Sequence, residues 1–381
     1  MAAIWALGLM SGTSFDGIDA ALVKTDGESV EAFGPGAAFD YAPGEMEAAR
    51  AVHRDWRPYR GAAAGSEAAA TLARAQAEVT AAHAAASARL LARAEAALAR
   101  PEVVGFHGQT VAHAPDDPQG GWTWQLGDGA GLARALNRPV AWDFRSADVA
   151  AGGQGAPLAP FYHFALARTL GRGPVCFLNL GGVGNVSWAD PEAEGPEAPG
   201  ALVGFDTGPA NALVDDWMRA RTGESCDRDG AAAAAGRVHE DRLRRNSIEA
   251  FVVRRPPKSL DRNEFAQALE AMEGLSTEDG AATLTALSAR CAAGAQAHLP
   301  KAAATWILCG GGRLNPTLAA MIAGQVEAEV LPAEALGLDG DLMEAQCFAY
   351  LAVRALRGLP LSAPATTGVP APMPGGRISR P

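Results

Sequence analysis

The residues able to do chemistry in this chain gather where apolar runs break at glycine. Asp206 is the sharpest, in "LVGFDTGPANALVDDW" (202–217), where a carboxylate ends an apolar run and Thr-Gly-Pro follows. An acid at such a strand end, partly withdrawn from water, has a raised pKa and is a better general base. The same D-T-G is how an aspartic peptidase presents one carboxylate of its dyad, and an Asp capping a turn or helix reads alike. A peptidase dyad needs a second carboxylate to share the proton. No second D-T-G or D-S-G occurs in the 381 residues. Asp206 is left as a lone base or a turn residue.

"MSGTSFDGID" (10–19) joins two apolar runs. Gly12 and Gly17 let a ligand approach the backbone, and Thr13 and Ser14 offer hydroxyls. N–H groups turned outward in such a tip form an anion-binding concavity. Asp16 and Asp19 could orient Mg²⁺ or its water shell, while Phe15 and Ile18 are the apolar members. A plain hairpin tip has the same composition. "LNLGGVGNVSW" repeats the pattern with Gly181 and Gly182, and "LCGGGRLNP" adds Gly310, Gly311 and Gly312 before a helix. Glycine there lets adenine or ribose lie on the backbone, and a helix N-terminus favours phosphate. Neither G-x-x-x-x-G-K-[ST] nor G-x-G-x-x-G occurs, which removes the P-loop and dinucleotide readings. Three glycine tips in this order point to a nucleotide held between two lobes.

Six further positions carry candidate side chains. "GFHGQTVAH" holds His107, Gln109 and His113, whose His-x5-His spacing suits loop support or substrate binding better than a metal. Arg145, in "WDFRSADVAAGGQG", either clamps a substrate carboxylate bidentately or pairs with Asp143 or Asp148. Glu344 opens a late helix, as a dipole complement or a functional acid. Asn211 begins the helix after Asp206.

Stepping outward, strands and helices must alternate to position these tips. Residues 4–10 and 18–27 read as a hairpin, 43–100 as Ala-rich helix, and "EVVGFHG" and "PVAWDF" as strands. Residues 175–190 then repeat the strand, glycine tip, strand order of the start, about 170 residues on. The class is α/β, with two related lobes. A 48% apolar content supplies a large core, and a net charge of −11 argues against nucleic-acid or anionic-membrane partners. No apolar run reaches the roughly 18–20 residues of a membrane span. The first basic residue is Lys24, so "MAAIWALGLMSG" lacks the charged start of a signal peptide and reads as a buried strand. Five scattered cysteines fit reduced, mostly buried thiols.

Together, "GLMSGTSFDGIDAAL", "GFHGQTV", "DFRSADVAAGGQGAPLAPFYH", "NLGGVGNVS", "GFDTGPANALVDDW", "PPKS", "CGGGRLNPTL", "GDLMEAQCFAYLA" and "ATTGVPAP" resemble the anhydro-N-acetylmuramic acid kinases, over residues 4–376. The resemblance implies two ribonuclease-H-like lobes of the actin-like ATPase type, with ATP in the cleft between them. It implies ATP- and Mg²⁺-dependent conversion of 1,6-anhydro-N-acetylmuramic acid to N-acetylmuramic acid 6-phosphate, in cell-wall recycling, by a cytoplasmic homodimer. Residues 12–19 would be the phosphate loop, joined by Gly181 and Gly182, and residues 310–312 would lie at the adenosine end. Asp206 would be the base activating water. Glu344, Asn211, His107, Gln109 and Arg145 would contact the sugar, and the metal ligands stay unassigned. The lobes are expected at 1–140 with 345–381, and at 141–344. Phe15 replaces the family's usual Leu, "PPKSLDRNEF" departs from "STGRE-F" with a turn at Asp261, Arg262 and Asn263, and "EAEGPEAPG" is a local extension.

Overall fold

The computed structural model describes residues 1–96, 98, 100–243, 248–256, 258 and 265–381. Two compact units emerge: Met1–Thr169 with Leu342–Pro381, and Leu170–Asp341.

The first unit opens with β1 (Ile4–Ser11), β2 (Gly17–Thr25) and β3 (Val30–Asp40), each antiparallel to the one before. Helices α1 (Glu47–Arg54) and α2 (Glu67–Leu91) follow. α2 starts where Ser66 accepts the Ala69 N–H, a side-chain N-cap. Next come β4 (Val103–Ala114), β5 (Trp122–Leu126), α3 (Gly129–Leu136), β6 (Val140–Trp142), α4 (Ser146–Ala150) and α5 (Ala159–Leu170). β4 lies parallel to β1, and β6 parallel to β4. Leu7, Leu9, Val104 and Phe106 bury their side chains against Val79, Ala82 and Ala86 of α2.

The second unit contributes β7 (Val175–Leu180), β8 (Val183–Ala189) and β9 (Leu202–Pro209), again a meander, then α6 (Ala212–Thr222). β10 (Thr305–Cys309) is parallel to β7, and β11 (Glu329–Pro332) is parallel to β10. Its sheet order is β11-β10-β7-β8-β9. The first sheet reads β6-β4-β1-β2-β3, extended beyond β6 by a final strand Arg377–Ser379. Counting only these five strands, both sheets have the order 3-2-1-4-5 with the same parallel and antiparallel neighbours, the ribonuclease-H-like plan. Helix Thr277–Gly294 sets Ala289, Ala292 and Ala293 against Leu178, Val186 and Phe205 in the second core.

The returning helix Met343–Leu356 belongs to the first unit. A Cβ on Gly8 would stand 1.8 Å from the Ala345 oxygen, and one on Gly105 would stand 2.0 Å from that of Phe348. Those two glycines let the helix backbone rest directly on β1 and β4. The division at Thr169/Leu170 and Asp341/Leu342 differs from the boundaries of 140/141 and 344/345 read from sequence. β6 is the physical reason: its pairing with β4 and with the final strand keeps the run after residue 140 in the first unit. Four of the five thiols are buried and all five are free. Among the described residues, no helix is long and apolar enough to cross a membrane.

Candidate functional site

The first-unit tip is held from below. Phe15 donates its N–H to the Gly12 oxygen and sits at φ 56, a left-handed backbone that a bulky residue rarely adopts. Its ring is buried with Ile18 in the core. Arg50 fixes it from outside, donating to the Phe15 oxygen at 2.5 Å and stacking on the ring at 5.0 Å. Thr13, Ser14 and Asp16 are exposed, and Asp19 is half-buried in β2. Beneath them the Gln109 amide donates to the Gly12 oxygen at 2.9 Å, with Gln109 fully buried. Through this bond Gln109, expected against the sugar, also shapes the hairpin.

His107 and Arg145 meet. The His107 Nδ1 lies 2.8 Å from the Gly108 oxygen, so this nitrogen carries the proton. Nε2 is left to accept from Arg145, at 3.3 Å from Nε and 3.1 Å from a terminal nitrogen. Burial, with the Arg145 charge added, holds the His107 pKa well below the ordinary histidine value, so the ring is neutral. Arg145 donates its remaining arm to the Gly155 oxygen at 2.8 Å. It does not make the ion pairs weighed for it: Asp143 pairs with Arg377 at 3.1 Å, and Asp148 accepts from the Gly155 N–H and the Ser362 and Thr367 hydroxyls. The acid whose field most favours the Arg145 charge is Glu344. Glu344 is exposed in the first turn of the returning helix. Desolvation by nearby protein lifts its carboxyl above the ordinary value, and Arg145 opposes that rise.

Beside His107 a cavity of about 340 Å³ opens against the middle of β4, along β5 and at the carboxyl end of β6. Trp124 and Trp142 line it, with Gln125, Asp128 and Asp143 as polar partners.

In the second unit the β7–β8 tip is stapled to the start of α6. The N–H of Asn211 donates to the Gly181 oxygen at 2.9 Å, its side chain donates to the Leu180 oxygen at 2.7 Å, and the Ala210 N–H donates to Gly182. Asn211, expected to touch sugar, thus organises glycine loops. The glycines divide into two kinds. Gly310 has φ 69, and a Cβ there would stand 2.2 Å from the Asn179 side-chain oxygen; one on Gly312 would meet Leu180 at 2.6 Å. Added Cβ atoms at Gly12, Gly181, Gly182 and Gly311 would meet nothing nearer than 3.4 Å, and none of the four has positive φ. Neither backbone nor packing demands glycine at those four, where a Cβ would make only ordinary contacts. Gly17 belongs with the packed kind, at 2.6 Å from the Phe39 oxygen. Arg313, not picked out from the sequence, locks the loop: buried, it donates to Gly310 at 3.0 Å, Glu334 at 2.7 Å and Asp341 at 2.8 Å.

Asp206 lies in β9, half-buried, three residues before its end. Asn185 faces Asp206, but Gly184 faces Gly208, so Thr207 is an extra residue in the ladder. Such a bulge re-aims the neighbouring side chains. The Asp206 N–H donates to the Lys258 oxygen at 3.1 Å. Lys258 is a second residue that sequence reasoning passed over; its only signal is the "PPKS" motif. The turn at Asp261, Arg262 and Asn263 lies outside the described residues.

Paired ribonuclease-H-like units with glycine-tipped hairpins, and a glycine loop following the fourth strand of the second, define the actin-like class of sugar kinases and ATPases. A family model described as anhydro-N-acetylmuramic acid kinase matches residues 4–379. The chain belongs to the anhydro-N-acetylmuramic acid kinase family, and so is an enzyme that transfers a phosphoryl group. Among its relatives, the anhydro-N-acetylmuramic acid kinase of Cereibacter sphaeroides is 54% identical, over 100% of this chain and 97% of that one. Anhydro-N-acetylmuramic acid kinase 1 of Jannaschia sp. is 50% identical, covering 99% and 96%. Among solved structures, gluconate kinase from Lactobacillus acidophilus aligns at 9% identity over 100% of this chain and 94% of that one, with a TM-score of 0.44.

Proposed function

We propose that the chain uses ATP and water to open 1,6-anhydro-N-acetylmuramic acid and phosphorylate it to N-acetylmuramic acid 6-phosphate, in cell-wall recycling, with Asp206 as the base. Family membership supports the overall reaction. The observation carrying the residue assignment is the bulge, which sets a half-buried carboxylate beside a glycine-tipped hairpin.

Asp206 takes a proton from water as the water oxygen bonds to the anomeric carbon. The bond from that carbon to the bridging oxygen breaks. The freed O6 receives the γ-phosphoryl group, ADP departs, and Asp206 returns its proton to solvent. In each unit taken by itself, the room left at the tip glycines, Gly12 in the first and Gly181, Gly182 and Gly311 in the second, would let phosphate oxygens lie against backbone N–H groups. Among the described residues no group of three or more His, Cys, Asp or Glu could hold a metal. That suits Mg²⁺, which keeps its waters and binds through one or two carboxylates and substrate phosphates. Asp16 and Asp19 would supply those carboxylates, and the ion would neutralise charge on the transferring group.

In the first unit, Arg145 and Glu344 would fix the sugar, Arg145 pairing with its lactyl carboxylate. The Trp124 and Trp142 walls and amide rim of the nearby cavity suit a pyranose ring. The family resemblance extends the proposal to a cytoplasmic homodimer. ³¹P NMR of the product from ATP and the anhydro sugar tests the reading. A 6-phosphate formed by the wild type and reduced about 10²–10⁴-fold in rate by Asp206→Asn supports it; ADP release indifferent to sugar overturns it.

A further inference from the structure

Lys258 occupies a place where an ammonium is costly. It is 6% exposed, and taking such a charge out of water is unfavourable unless its surroundings compensate. Its ammonium donates to the oxygens of Phe251 at 3.1 Å and Val252 at 2.8 Å, at the carboxyl end of helix Ile248–Val253. The same nitrogen lies 5.4 Å from the Phe205 ring centre and 4.8 Å from that of Phe251. Lys258 therefore grips β9 twice, with its main-chain oxygen on the Asp206 N–H and its ammonium against the ring of the preceding residue. A methionine would fill this space without a charge to bury.

We propose that Lys258 is a positioning residue for the base: its carbonyl fixes the bulged segment of β9, and its ammonium supplies a field that keeps the Asp206 carboxylate ionised. This rests on the reading of Asp206 as base. The surrounding charges agree with it. Burial and then Arg254 pull the Lys258 pKa down to about 8, while Cys291 and, less strongly, Asp206 oppose the fall. Cys291, facing from helix Thr277–Gly294, has its thiol pushed up to about 12 by burial and stays neutral. His298 bonds to the Val252 oxygen at 2.8 Å and packs edge-on to Phe205, and across β8 the partner is the uncharged Asn185. Among the described residues, Lys258 and Arg254 are cations that act on this stretch of β9.

The test compares kcat against pH for wild type, Lys258→Met and Lys258→Arg, with ATP and the anhydro sugar. Loss of the ammonium should move the acid limb upward by about one pH unit, the lower end of what a nearby charge does to a carboxylate. Lys258→Arg should leave the limb in place. A Lys258→Met limb at the wild-type position overturns the proposal, however far the rate falls, as does a Lys258→Arg limb displaced equally. If Lys258→Met does not fold, Lys258→Gln, whose amide can still donate to both carbonyls, serves in its place. If neither neutral variant folds while Lys258→Arg does, the charge is a folding requirement and the proposal falls. Asp206→Asn at the wild-type rate would defeat the base reading instead, since the Lys258 comparison reads limb position and not rate.

Discussion

Gly310 and Gly311 are neighbours with different reasons to be glycine. Alanine at 310 would force a Cβ onto the Asn179 oxygen at a positive φ. Gly310→Ala should therefore cost about 2–3 kcal/mol of stability, visible as a fall in Tm. Alanine at 311 meets only the Asn211 side chain, at an ordinary contact distance of 3.9 Å. Gly311→Ala should keep the wild-type Tm and raise the KM for ATP by about 10- to 100-fold, the equivalent of one small overpacking term. An unchanged KM would remove residue 311 from the nucleotide site. Both glycines look identical in "CGGGR", because what separates them is a side chain 131 positions earlier. Arg145 shows the same limit. Its sequence neighbours Asp143 and Asp148 were the obvious partners, yet its bonds go to His107 and Gly155, which only the folded chain supplies. Arg313 and Lys258 escaped notice for a related reason: burial is what gives a lone cation meaning.

Among elements, the returning helix is the most exacting. It sits on β1 and β4 with no room for a methyl group at Gly8, and it carries Glu344 in its first turn. A Cβ at Gly8 cannot be absorbed by a flexible side chain, since the atoms it meets are backbone. Gly8→Ala should push the helix off the sheet and cost about 3 kcal/mol, at the upper end of ordinary overpacking. With it the sugar KM should rise more than that for ATP, because Glu344 rides on the helix. Equal effects on both substrates would argue that the helix carries no sugar contact. The hairpins were readable in advance because alternating apolar runs that break at Gly-rich tips have few other solutions. The close approach of this helix was not, since glycine inside a strand states only that something comes near, not what.

On the scale of the whole molecule, the buried histidines are unevenly spread. His83 is pulled down to about 4 and His163 to about 3 by burial, and His107 also lies well below the ordinary value. All three belong to the first unit. A histidine kept neutral by folding contributes stability that is fully present above its unfolded pKa of roughly 6.5 and is lost as pH falls toward the folded value. Each should cost about 1.4 kcal/mol per pH unit within that window. Between pH 6.5 and pH 4, the first unit should loosen before the second, with peptides from β4, α2 and α5 gaining deuterium earliest. His83→Leu should flatten the dependence; uniform exchange in both units would contradict it. The lobe boundaries show what local patterning misses, since β6 is only three residues long and pairs with a strand more than 230 positions later.

That pairing also bears on how the polypeptide is made. The second unit is a continuous stretch, whereas the first needs the returning helix and the strand at Arg377–Ser379 to cover its sheet and complete it. A ribosome works from the amino end, and domains generally fold as units once their residues have emerged. The half begun first is therefore the half finished last, and its apolar strands must wait through translation of an entire neighbouring domain.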